Sequence, residues 1–241
     1  MNAGAGNDIL AVRGLHAYYG RAHILADVGL ELRRGEVVAL LGRNGAGKST
    51  TMKSIMGLVR PAKGEIVLRG KEVQGLEPYR IARQGLGYVP EDRRVFADLT
   101  VMENLEVGRQ PQRKDAPEWT PERLFTLFPK LAEMRDRPAG RMSGGEQQML
   151  TIVRTLMGNP RALLLDEPSE GLAPVIVEQM ANTILDLKNQ GLSILLSEQN
   201  LHFSTLVSDR AYIIEKGGIR YEGTMEELAR NEEVRAAYLT V

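Results

Sequence analysis

Short unbroken apolar runs alternate along this chain with stretches in which apolar residues recur every three or four positions. Residues 37–41, 162–165 and 193–196 are almost entirely apolar and bounded by polar residues, as expected of strands covered on both faces. Residues 9–15 and 25–32 also read as strands; in the second, Val28, Leu30 and Leu32 alternate with Gly29 and Glu31. Arg33-Arg34-Gly35-Glu36 makes the turn into 37–41. Shorter strand-like pieces lie at 65–68 and 86–89, and 211–215 and 219–221 flank Gly217-Gly218, a hairpin signal.

The helical period governs the rest. A helix is predicted from about Lys48, with Met52, Ile55 and Met56 on one face. Thr100 with Glu103 forms a capping box that opens a helix over 101–107. Residues 108–121 are polar, contain Pro111, Pro117 and Pro121, and read as a loop. After Ser143, the residues Met149, Ile152, Val153, Leu156 and Met157 form a helical stripe. Residues 174–188 form a helix whose buried face carries Ile176, Met180, Ile184 and Leu187 and which stops at Gly191. Thr224 and Glu227 cap a last helix. This alternation predicts an α/β fold with a parallel sheet flanked by helices, formed by residues 1–90 and 151–241, with 91–150 as a helical insertion.

Charge narrows the choice of partner. Lysine plus arginine and aspartate plus glutamate both total 31, so nothing suggests the broad basic surface that duplex DNA or anionic lipid requires. With no cysteine, disulfides and thiolate metal sites are excluded, in keeping with a reducing compartment. The first eight residues have neither the basic run nor the apolar stretch of a signal peptide. No segment approaches the roughly 18 to 20 apolar residues needed to cross a bilayer, so the chain is expected to be soluble. If it acts at a membrane, partners supply the spanning helices.

Three segments carry chemistry. In Gly42-Arg43-Asn44-Gly45-Ala46-Gly47-Lys48-Ser49-Thr50, the glycines let backbone N–H groups approach phosphate oxygens, and the following helix aims its positive end at the same place. Lys48 suits the β and γ phosphates of a triphosphate, and the Ser49 hydroxyl suits Mg²⁺. Asp166 and Glu167 end an apolar strand, at the carboxyl edge where open α/β sheets bind ligands. Asp166 is expected to hold Mg²⁺ and Glu167 to polarise the attacking water. The third segment is Ser143-Gly144-Gly145-Glu146-Gln147-Gln148. Ser143 and Glu146 satisfy a capping box by themselves. A cap needs neither the paired glycines nor the glutamines, which favours a phosphate-facing role.

With these motifs in this order, the chain resembles the ATP-binding subunit of an ABC (ATP-binding cassette) transporter over almost its whole length. The resemblance implies a single ABC ATPase domain over 1–241: a P-loop NTPase core, an N-terminal antiparallel β subdomain and an inserted helical subdomain. It implies that two cassettes pack head to tail, and that Ser143, Gly144, Gly145, Glu146 and Gln147 press on ATP held by the opposite subunit. Tyr19 would stack on adenine, the alternative for Tyr18 and Tyr19 being strand-end packing. Residues 169–173 would reach across the dimer. Arg93, Arg94 and residues 95–99 sit where such cassettes meet their membrane subunits; Val95, Phe96 and Leu99 beside the arginines would be odd on a free surface.

Three departures narrow the subgroup. Glu91 stands where a glutamine usually touches Mg²⁺ and water, Gln199 replaces the switch histidine, and Ala173 replaces the aspartate of the cross-dimer segment. Together with Met142 to Leu150 and the tail from Glu232, these resemble the second ATPase subunit of branched-chain amino-acid importers and their relatives for urea and amides. The implied partners are a second cassette (a homologous subunit or another copy), two membrane-spanning permease subunits and a separate solute-binding protein, at the cytoplasmic face of the inner membrane, with no nucleic acid. Gln199, which donates only a neutral hydrogen bond, is expected to make its site slower. His16, His23 and His202 have no role readable from sequence. Two other readings are a soluble cassette acting on nucleic acid or ribosomes, and a mainly regulatory nucleotide-binding subunit. Size and neutral charge disfavour the first, and intact Lys48, Asp166 and Glu167 the second.

Overall fold

A computed structural model describes residues 8–239. The N-terminal residues read above as carrying no signal peptide therefore lie, but for Asp8, outside the described residues. Two sheets organise the chain. β1 (Asp8–Tyr19), β2 (Ala22–Arg33), β4 (Lys63–Leu68) and β5 (Lys71–Glu72) form an antiparallel sheet in the order β2-β1-β4-β5. The second sheet has the order β10-β9-β3-β8-β7-β6. In it β3 (Val37–Leu41), β6 (Leu86–Val89), β7 (Ala162–Asp166), β8 (Ser193–Glu198) and β9 (Arg210–Glu215) run parallel, and β10 (Gly218–Thr224) returns antiparallel along β9.

The unbroken apolar runs have a direct cause in this arrangement. Leu163 and Leu165 of β7 face the core shared with the helices, while Ala162 and Leu164 face the core shared with the antiparallel sheet. Ile194 and Leu196 of β8 likewise oppose Leu195. A strand with period-2 side chains that is covered on both faces must be apolar at every position. The hairpin between β9 and β10 turns through Lys216 and Gly217, both at positive φ. A Cβ on Gly217 would lie 1.9 Å from the Ile24 carbonyl oxygen, so no other residue fits there.

Between β6 and β7 lie α3 (Val101–Gly108), α4 (Pro121–Leu127), α5 (Pro129–Glu133) and α6 (Gly144–Leu156). α6 runs unbroken past residue 150, the expected edge of the insertion. α1 (Lys48–Ile55) and α2 (Pro78–Arg83) precede the lobe; α7 (Pro174–Asn189), α8 (Leu201–Val207), α9 (Met225–Arg230) and α10 (Glu232–Tyr238) follow it.

Several elements differ from the sequence reading. β1 and β2 extend to a tight turn at Gly20-Arg21, because hydrogen bonding carries their polar ends. α2, α4, α5 and α10 were not expected, so the helix capped by Thr224 and Glu227 is not the last. α4 and α5 each start on a proline at the first helical position, where the missing N–H costs nothing, and Thr120 caps α4. Ile176 is only half-buried, because the first turn of α7 projects beyond the core that holds Met180, Ile184 and Leu187. The polar loop 109–120 is strapped down. Arg113 donates to the carbonyls of Gly158, Asn159, Ala82 and Arg83, and buried Trp119 donates its backbone N–H to Asn159 Oδ1 at 2.8 Å.

Candidate nucleotide site

The phosphate loop connects β3 to α1 and is held by close packing. A Cβ on Gly42 would lie 2.4 Å from the Ile214 carbonyl oxygen, and one on Gly47 2.8 Å from Leu25. Gly42 N–H donates to the Glu198 carbonyl, and Gly217 N–H to that of Ala46. Arg43, Asn44 and Gly45 form the exposed tip, whereas Ala46, Gly47, Lys48 and Thr50 are buried and Ser49 is half-buried.

Lys48 Nζ donates to the carbonyls of Gly42 (2.7 Å) and Arg43 (3.1 Å) and lies 3.0 Å from Glu167 Oε1. Its three donors are thus satisfied within the chain, and both members of the ion pair are at least nine-tenths buried. An incoming phosphate would have to draw Lys48 from these partners. Glu167 follows β7 at a φ of +48°, a strained value for a residue with a side chain. Its N–H donates to the carbonyl (3.0 Å) and hydroxyl (3.2 Å) of Ser197, which holds that turn.

Asp166 gathers hydroxyl groups from three strands or helices. Ser49 (3.0 Å) and Ser197 (2.6 Å) donate to Oδ1, and Tyr88 (3.1 Å) donates to Oδ2. Burial, then the Asp166 charge, hold the Tyr88 phenol far above its ordinary value, so it stays a donor. Of these groups, the Asp166 carboxylate and the Ser49 hydroxyl lie at the phosphate loop, and such an all-oxygen pair suits Mg²⁺, which takes few protein ligands and completes its shell with phosphate and water. Glu91 is exposed and makes no hydrogen bond among the described residues; it lines a cavity of about 380 Å³ together with Tyr88 and Asp166. Beyond Glu167, the Glu170 carboxyl is pushed up to about 7, first by its hydrogen bond to Glu167 and then by burial and the neighbouring carboxylates.

The other sequence candidates lie apart. Tyr19 is exposed at the β1–β2 turn, while Tyr18 stacks on His23 at 4.3 Å and His23 hydrogen-bonds His16 at 3.1 Å. The histidines without a readable role thus hold the turn that presents Tyr19, and His202 is exposed on α8. Gln199 is exposed; its backbone N–H donates to Glu198, and its side chain makes no hydrogen bond among the described residues.

Ser143 caps α6 through Glu146 as the capping box predicts, and Gln147 donates to the Ala139 carbonyl. Among the described residues, no hydrogen bond joins residues 143–147 to 42–50. The paired glycines have an intrachain neighbour each: a Cβ on Gly144 would lie 2.2 Å from Arg93 Nη1, and one on Gly145 3.0 Å from Ile176 Cγ2. Of the residues expected at a membrane-partner surface, Val95 packs on the lobe and Leu99 is half-buried, leaving Phe96 exposed. Phe96 lines a groove of about 580 Å³ with Leu58, Tyr79 and Val107, four of the large apolar side chains left exposed in the chain. Tyr88, Ser197, Glu198 and Glu170 were missed in sequence; the signal for Ser197 and Glu198 was their place at the end of an apolar strand parallel to β7.

The comparisons with known proteins agree with this layout. Residues 25–170 match the ABC transporter family. The chain belongs to that family. Its curated relatives include the high-affinity branched-chain amino acid transport ATP-binding protein BraG of Pseudomonas aeruginosa, 44% identical over 96% of this chain and 99% of BraG. The lipopolysaccharide export system ATP-binding protein LptB of Haemophilus influenzae is 36% identical over 96% and 97% of the two chains. A probable branched-chain amino acid transport ATP-binding protein, LivF of Archaeoglobus fulgidus, is 37% identical over 91% and 93%. Among solved structures, the ADP conformation of an ATP-binding cassette of an ABC transporter superposes with a TM-score of 0.81 at 28% identity, covering 95% and 97%. This cassette is an ATP hydrolase coupled to transport, and such subunits work with membrane permeases. No helix among the described residues is long and apolar enough to cross a membrane.

Proposed function

We propose that this cassette energises an importer for branched-chain amino acids or similar small polar solutes. The observation that carries the reading is its 44% identity to BraG over nearly the whole of both chains. Gly42, Arg43, Asn44, Gly45, Ala46, Gly47 and Thr50 cradle the phosphates, Lys48 draws on the β and γ phosphates, and Tyr19 stacks on adenine. Ser49 and Asp166, with Glu91 alongside, hold Mg²⁺, which supplies positive charge at the phosphates when bound. Glu167 polarises the attacking water, and Gln199 donates to the γ-phosphate.

Ser143, Gly144, Gly145, Glu146 and Gln147 serve ATP bound to a second cassette, either another copy or a homologous subunit. Support comes from their separation from residues 42–50 within one chain. Two permease subunits dock in the groove that exposes Leu58, Tyr79, Phe96 and Val107, at the cytoplasmic face of the inner membrane. A separate protein binds the solute. LptB, 36% identical over an equal span, makes lipopolysaccharide export the second reading.

Purification of the tagged chain from its native membrane tests both. Recovery of two permeases, with turnover stimulated by a branched-chain amino acid and its binding protein, is expected. Recovery of lipopolysaccharide-export components would select the second reading, and recovery of no membrane protein would sink both.

A further inference from the structure

Glu198 is the last residue of β8 and is 2% exposed, yet no cation pairs with it among the described residues. β8 lies between β3, which leads into the phosphate loop, and β7, which carries Asp166. Its carboxylate accepts three backbone N–H groups. Oε1 takes Ser169 (3.0 Å), and Oε2 takes Gln199 (3.2 Å) and Asn200 (3.2 Å). Its own carbonyl accepts Gly42 N–H, the first amide of the phosphate loop. One buried residue therefore touches the phosphate loop, the segment after Glu167 and the turn that carries Gln199.

A structural role alone would ask less of this position. The amides of Gln199 and Asn200 end a strand, and one neutral acceptor would satisfy such a turn. The third donor, Ser169, comes from 29 residues away and needs a second oxygen on the same side chain. Only a carboxylate offers acceptors on both oxygens; a glutamine would turn an N–H₂ toward one donor set. Burial pushes the Glu198 carboxyl up and the Ser169 and Asn200 bonds oppose it, so the chain tolerates an unpaired buried carboxylate here.

We propose that Glu198 is a positioning residue that ties the segment 169–173 to Gln199, so that the place of the one sets the place of the other beside Glu167. A partner cassette pressing on residues 169–173 would then set Gln199 through this single carboxylate. The inference rests on the proposed assignment of Glu167 and Gln199 to hydrolysis.

The experiment compares E198Q, Q199A and the double variant, in the complex purified from native membranes, with E167Q as a control. Steady-state Mg-ATP turnover and fluorescent-nucleotide affinity are read for each. The expected result is a turnover about tenfold lower in E198Q with nucleotide affinity within about twofold, and Q199A adding little further loss in the E198Q background. Amide exchange at Ser169, Gln199 and Asn200 should speed up together in E198Q. Losses that simply multiply, or turnover and affinity falling together, would overturn the proposal. If E198Q does not fold, E198D carries the same comparison, since it keeps both acceptor oxygens one methylene further back. Full turnover in E167Q would reject the site assignment itself, separately from the role of Glu198.

Discussion

The edge of the parallel sheet and the opening of α6 are both glycine-rich turns into helices, but they are wired differently. At the sheet edge, Lys48, Glu167, Asp166, Ser49, Ser197 and Tyr88 form one connected set of an ion pair and hydrogen bonds, with all but Ser49 and Tyr88 buried. At the opening of α6, among the described residues, the side chains of Ser143, Glu146 and Gln147 hydrogen-bond only within this set and to Ala139, with Ser143 exposed. The first region is preorganised within one chain. The second is complete as a helix cap, and the role proposed for it is to serve ATP bound to a partner.

Replacement of Glu167 tests this contrast most severely. Glu167→Gln is expected to lower ATP turnover by about 10²- to 10⁴-fold while nucleotide still binds, because Lys48 loses an ion-pair partner that competes with phosphate. Retained turnover would support the regulatory reading instead. The glycines of the two regions provide the next test. Gly42→Ala sets a Cβ against the Ile214 backbone oxygen, which cannot move aside, and should lower stability by about 2 kcal/mol or more in denaturant unfolding. Gly144→Ala meets only the movable end of Arg93 and should cost less than about 1 kcal/mol, while turnover in the assembled complex falls. Equal losses of stability would erase the distinction between them.

A smaller effect is expected at Gln199. Gln199→His adds a donor that can carry charge, and should raise turnover in the assembled complex by about tenfold, equivalent to about 1.4 kcal/mol of barrier. An unchanged or lower rate would refute the idea that this site is slow because of its amide. The smallest effect is a pH dependence at Glu170. Its carboxyl keeps its proton to about 7 in the folded chain, against an ordinary value of 4.5. A raised acid favours the folded state only while protonated, so stability contributed below pH 4.5 is lost as pH rises through 7. Glu170→Gln should flatten the unfolding-midpoint profile across that window, with only a slight change because the side chain is largely exposed.

Much of this layout was legible in the chain, and the part that was not has a common cause. Unbroken apolar runs located β3, β7 and β8, a capping box located α3, and helical stripes located α6 and α7, because those elements are decided by local burial and local capping. The Pro-rich stretch misled at its end, since a proline that breaks a helix interior also starts one, and only Thr120 and Glu122 marked α4. Trp119 and Arg113 carried no signal because their partners, Asn159 and the carbonyls of Gly158 and Ala82, are some 30 to 45 residues away. The same holds for Glu198, whose partner Ser169 lies 29 residues away in the turn after β7.

By itself the sequence determined the family, the parallel core with its helical insertion, and which loops hold phosphate-binding residue types. Those properties depend on spacing along one chain, and spacing is what a sequence records. Tertiary structure alone decided that Lys48 is held by Glu167, that three hydroxyls converge on Asp166, that Gly144 lies against Arg93, and that Glu198 joins three loops. Each of these is a contact between segments brought together only when adjacent strands pair and the lobe folds onto the sheet.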